Sequence, residues 1–141
     1  MGLPSGQTIA AAMDEVPLKP EELFVGKAQI ADNGAPDDTP LNDIAKGRFV
    51  TESPLWYYVL AEGNAQWRRQ IVGKSADDAN AVGVTLGPVG GRIVAETLLG
   101  LLVAGKNSYL HEDPSWKPTL PFASGTFRIS DLVSYALQPL P

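Results

Sequence analysis

Chemistry in this 141-residue chain has few residues to draw on, because it contains a single histidine, His111, and no cysteine. His111 stands in "SYLHEDPSW", next to Glu112 and Asp113. A lone imidazole can ligate a haem iron or act as a base, but a metal site built from side chains needs further ligands or an ordering partner. The Pro-rich surroundings read as surface chain, so His111 is expected to be solvated. Without a second histidine and without G-x-S-x-G there is no basis for an acyl-transfer triad. Carboxylates occur as neighbours on loops, with nothing to set the separations that glycoside hydrolysis requires. "DNGAPDD" brings Asp32, Asp37 and Asp38 close in sequence, yet lacks the D-x-[DN]-x-[DN]-G order of a calcium loop, and a solvated acidic loop is expected there.

Two glycine stretches resemble phosphate cradles without matching them. Gly87-Pro88-Val89-Gly90-Gly91 has the spacing of neither a dinucleotide fingerprint nor a P-loop, and "VGKS" at residues 72–75 has Arg68 where the first P-loop glycine belongs. Gly90 and Gly91 are therefore expected to be points where another backbone closely approaches a helix. No catalytic, cofactor-binding or metal-binding residue is assigned.

The net charge of −5 and the scattering of 11 basic residues, with Arg68-Arg69 the only adjacent pair, argue against a nucleic-acid surface. The N-terminus lacks the basic and continuous apolar regions of a signal peptide, and no apolar stretch approaches the ~20 residues that span a bilayer. At 44% apolar and 19% charged the composition is that of a folded chain. Its 14 Gly and 12 Pro call for short helices joined by long irregular segments.

The elements follow from caps and periodicity. Residues 4–13 read as a helix capped by Ser5, and Pro20 with Glu21-Glu22 opens a second helical turn. Residues 26–51 read as loop, broken by Asn33-Gly34, Pro36 and Pro40, with one helical turn near 42–46. Ser53 as cap and Pro54 as first residue begin a helix in which Trp56, Tyr57 and Tyr58 cover most of the circumference, implying neighbours on more than one side. Residues 74–85 form a polar connector, the best place for an insertion or mobile loop. Residues 86–105 carry Val89, Ile93, Val94, Leu98, Leu101 and Leu102 at helical spacing and end at Gly105. An extended Pro-rich segment anchored by Tyr109 and Trp116 follows, and a last helix is expected to bury Ile129, Leu132, Val133 and Leu137. No strand pattern is evident. The expected class is all-α, in one region spanning residues 1–141.

"GLPSGQTIAAAM", "SPLWYYVLAE" and "LGPVGGRIVAETLLGLL", followed by "SYL", "PSWKPTLP" and "FRISDLVSYA", resemble in order and spacing the C-terminal part of animal-type haem peroxidases, in the bacterial branch of the peroxidase–cyclooxygenase superfamily. The resemblance extends from Gly2 to about Leu137. It implies a mainly helical fold around haem and a hydrogen peroxide-dependent oxidoreductase. The family's distal His and Arg, proximal His and supporting Asn all precede the matching segment, so none of its functional residues carries over, and His111 matches no haem ligand. The chain is thus expected to be a C-terminal fragment or split piece, inactive alone and binding no haem by itself. Its expected partner is the missing N-terminal haem-bearing part. The alternative is a stand-alone, non-catalytic helical binding or scaffold module.

Overall fold

In the computed structural model, which describes residues 2–117 and 128–137, the chain divides into two units, residues 1–98 and 99–141. The first holds α1 (Gly6–Ala12), a 3₁₀ turn (Pro20–Glu22), strands β1 (Phe24–Ile30) and β2 (Pro36–Pro40), α2 (Leu41–Ile44), α3 (Arg48–Thr51), α4 (Leu55–Gln70) and α5 (Ala76–Asn80). It also holds the start of α6 (Pro88–Ala104), whose end lies in the second unit with α7 (Tyr109–Glu112) and α8 (Ile129–Ala136).

The fold is mixed α/β, which corrects the all-α expectation. β1 and β2 form an antiparallel hairpin, with Phe24 opposite Pro40, Val25 opposite Thr39, Gly26 opposite Asp38 and, beyond an irregularity, Ile30 opposite Pro36. Asn33-Gly34 makes the turn: the Gly34 amide donates to the Ala31 carbonyl at 2.8 Å and the Asn33 side chain accepts from the Ala35 amide at 3.0 Å. Gly26 lies at φ +148°, and a Cβ there would stand 2.3 Å from the Asp37 carbonyl oxygen, so the strands can approach at this point only through glycine. β2 reads "PDDTP" and has little strand propensity of its own. What holds it is tertiary: the Asp38 carboxylate accepts from Asn64 Nδ2 at 2.9 Å and from Arg68 Nη2 at 3.0 Å, both on α4.

α4 is the axis of the first unit and, as its aromatic run implied, it buries two sides. Tyr57 and Ala61 pack with Leu23, Leu41 and Val50, while Tyr58 packs with Ala10 and Val89. The Tyr58 hydroxyl accepts the Leu18 amide at 2.8 Å, fastening the segment after α1 to the same helix. Ser5 caps α1 by accepting from the Thr8 amide, as its position indicated. Ser53 does not cap α4, which begins at Leu55. Its hydroxyl donates to the Phe49 carbonyl and accepts from Gln7, whose amide oxygen takes the Ser53 N–H, so Ser53 is fully buried as a clasp between α1 and α3.

The connector at residues 74–85 is not a free loop. Ser75 caps α5 by accepting from the Asp78 amide, and Ala79 is buried. Trp67 Nε1–H donates to the Ala79 carbonyl at 3.2 Å. The Asn80 amide group pairs with both the N–H and the carbonyl of Ile30, at 2.6 and 3.2 Å. In the second unit Tyr109 and Trp116 do meet, with ring centroids 5.5 Å apart, but around a helical turn rather than an extended segment. α8 forms where expected but exposes Ile129, Leu132, Val133 and Leu137. The part of the Pro-rich segment from Pro118 onward lies outside the described residues.

Candidate functional site

The residues that sequence chemistry singled out are not brought together. His111 is exposed on the four-residue α7, its Nδ1 within 3.1 Å of the Ser108 hydroxyl, and Glu112 and Asp113 beside it are exposed too. Asp113 spends its carboxylate on Ser115. Among the described residues no group of three or more His, Asp or Glu side chains could hold a metal ion. His111 does not fit a haem ligand, because its imidazole is exposed on a single four-residue helical turn with the Ser108 hydroxyl against Nδ1.

The acidic loop is corrected as well. Asp37 accepts from Gln29 Nε2 at 2.7 Å, and the Asp38 side chain is fully buried. The Arg68 guanidinium that pairs with Asp38 also lies 3.7 Å from the centroid of the Phe24 ring. Arg69 pairs with Glu22 at 2.5 Å. The Lys19 amide and Arg69 together hold the Glu22 carboxyl below its usual range. The adjacent basic pair is thus a structural anchor. Asn64 Oδ1 and Arg68 Nε remain buried without a partner in this cluster.

The glycine-rich stretch opens a helix that meets side chains rather than another backbone. A Cβ on Gly87 would stand 2.3 Å from Glu62 Cβ, and one on Gly90 would stand 2.6 Å from Val59 Cγ1. Gly91 is not closely approached by α4. Through this contact the nearly buried Glu62 accepts from the amides of Val89 and Gly90, each 3.1 Å from Oε2, at the N-terminus of α6. Desolvation raises the Glu62 carboxyl above its ordinary value, the two amide hydrogen bonds oppose that shift, and the negative charge of Glu15 adds to it. Burial also pushes the Tyr57 hydroxyl up to about 12. Tyr57 is therefore a neutral donor at neutral pH, and it donates to the Phe24 carbonyl at 3.1 Å.

The conspicuous surface is apolar. Trp56 is 68% exposed and Leu60, one turn later on α4, is 66% exposed. Trp56 stands between two grooves. One, of about 610 Å³, is lined by Leu3, Pro4, Leu55, Val59 and Ile93; the other, of about 360 Å³, by Phe24, Ile44, Phe49, Tyr57 and Leu60. α6 extends the pattern: of its 17 residues only Val89 and Gly90 are buried, and Val94, Leu98, Leu99, Leu101 and Val103 are exposed. Of its apolar stripe only Val89 is buried, with Ile93 and Leu102 partly buried. Sequence reasoning found α6 and the aromatics of α4, whose outer faces the structure leaves uncovered. The signal available for α6 was its composition, apolar around nearly the whole circumference. No helix among the described residues is long and apolar enough to cross a membrane.

Comparison of the chain with protein-family models, with curated proteins and with solved structures returned no match.

Proposed function

We propose that this chain is a structural piece of an animal-type haem peroxidase, its C-terminal part, and that it works by seating α6 and the Trp56–Leu60 face of α4 against the haem-bearing part. The observation that carries the reading is α6. A helix that is apolar nearly all round belongs inside a core, yet this one buries only its first turn. Fully burying a large apolar side chain is worth about 1.5–3 kcal/mol, so five such residues on α6 leave a large stabilisation available to whatever covers them. Their character is that of an obligate interface, which resembles a domain core cut in half. The ordered resemblance to the peroxidase C-terminal part supplies the identity of the covering body.

A second reading, a stand-alone binding or scaffold module, draws on the two core clusters of the first unit. One measurement tests the first reading, and a second separates the two. In a haemin titration of the purified chain, read by the Soret band and by peroxide-dependent dye oxidation, the peroxidase-piece reading expects no saturable one-to-one shift and no activity above free haemin. A saturable shift abolished by His111→Ala would refute it. Binding of an apolar fluorescent dye, reduced by Leu98→Lys and Leu101→Lys, is expected for an uncovered core helix. A monomer with no dye binding favours the stand-alone module.

A further inference from the structure

Glu62 is the one nearly buried carboxylate here that no cation neutralises: among the described residues the ion pairs are Arg48–Glu52, Arg68–Asp38, Arg69–Glu22 and Arg92–Glu96. Its oxygens instead take the amides of Val89 and Gly90, and Gly87 lets the α6 backbone come down onto it. We propose that Glu62 is a proton-operated clasp between α4 and the first turn of α6, tight when the carboxyl holds its proton and loosened when the proton leaves.

The groups facing it set the direction. A groove of about 330 Å³, of mixed polar and apolar lining, reaches Glu62, giving the proton a route. Into it project Glu15 from the segment after α1, Lys19 and Glu22 from the 3₁₀ turn, and Gln66 and Arg69 from α4. Tyr58, one turn before Glu62 on α4, feels its charge as well. Arg69 is committed to Glu22. Glu15 adds like charge next to Glu62. Against this stand two amide donors and the positive end of the α6 dipole, which favour the carboxylate. The balance runs against the charge, because an unpaired buried carboxylate forgoes its hydration and gains no counter-ion. The neutral carboxyl keeps the clasp, since its carbonyl oxygen still accepts from the same amides.

The sign follows. A carboxyl raised above its ordinary value in the seated state, and normal in the released state, stabilises seating fully in acid, and that stabilisation is lost as pH rises through the raised value. The clasp stands on unit-internal geometry and does not depend on the peroxidase reading.

The test is amide NMR on the full chain, following the Val89 and Gly90 resonances and their hydrogen-exchange protection, with rates normalised to the unstructured peptide at each pH. Both amides are expected to titrate with one midpoint above the ordinary glutamate range. Their protection should fall with rising pH, about tenfold for each pH unit by which that midpoint is raised. Glu62→Gln is expected to abolish the titration and leave protection flat, at or above the wild-type level at neutral pH. Should Glu62→Gln fail to fold, Glu15→Gln touches none of the clasp contacts and is expected to lower the midpoint. A midpoint at or below the ordinary range, protection that rises with pH, or a midpoint unmoved in Glu15→Gln would overturn the proposal.

Discussion

Replacing Arg68 by Ala tests whether the hairpin is held by α4 rather than by its own strands. The Asp38 side chain is fully buried while that of Arg68 is 28% exposed, and their contact is 3.0 Å. Removing the arginine leaves a buried carboxylate with only the Asn64 amide, at 2.9 Å, to solvate it. Breaking a buried pair from one side costs about 3–5 kcal/mol. Partial exposure of the arginine favours the lower end, and loss of its stacking on Phe24 adds roughly 0.5–1 kcal/mol. A loss of about 3 kcal/mol is a large share of the ~5–15 kcal/mol that holds a domain folded. The assay is urea unfolding followed through fluorescence that includes Trp67, which is 1% exposed. Asp38→Ala and the double variant complete a cycle. With both charges gone no unpaired buried charge remains, so the double variant should lose less than the sum of the singles, with a coupling of about 1–3 kcal/mol. A loss under about 1 kcal/mol for Arg68→Ala, or additive singles, would show that the hairpin stands without the ion pair.

Gly87→Ala sets a methyl 2.3 Å from Glu62 Cβ, so it should destabilise by about 1–3 kcal/mol and lower the exchange protection of the Val89 and Gly90 amides; unchanged protection would refute the close contact. Tyr58→Phe removes the acceptor of the Leu18 amide and should cost about 1–3 kcal/mol in the same urea assay. Trp56→Asp and Leu60→Asp, at exposed positions, should leave the unfolding midpoint within about 0.5 kcal/mol of wild type while reducing self-association measured by sedimentation; a large loss of stability would mean that these side chains are already covered.

What was legible in the sequence was local. Ser5 as a cap, Pro20 in a helical first turn, Asn33-Gly34 as a turn, and the existence of the two long helices each depend on a residue and its immediate neighbours, and each is present. What was not legible depends on residues far apart. "PDDTP" becomes a strand because Asn64 and Arg68 reach Asp38 across 26 and 30 positions. Ser53 leaves the cap of α4 because Gln7, 46 positions earlier, completes its hydrogen bonds. The 74–85 connector is pinned by Trp67 and by the Asn80 amide acting as a short strand edge for Ile30. For the candidate site the residue types were informative only negatively, since the lone histidine and the acidic loop gave no constellation. The feature that carries the functional reading, the uncovered α6, was legible as an apolar helix, while its lack of cover depends on the rest of the fold.

Glu62 and α6 belong to one design problem. An apolar helix with a buried first turn and mostly uncovered later turns is held chiefly by that first turn, together with Arg92, which donates to the Met13 carbonyl at 3.1 Å, and the partly buried Ile93. Val89 supplies the packing, in the cluster with Ala10 and Tyr58, and Glu62 supplies the only side-chain acceptor that the Val89 and Gly90 amides have among the described residues. Removing the packing and removing the acceptor should therefore be separable. Val89→Ala is expected to cost about 0.5–3 kcal/mol independently of pH, by analogy with other losses of core methyl groups. Glu62→Gln is expected to remove pH dependence without that cost. If instead Val89→Ala abolished the pH dependence while Glu62→Gln retained it, the seating of α6 would be governed by packing alone, and the carboxylate would be a bystander in the wall of its groove.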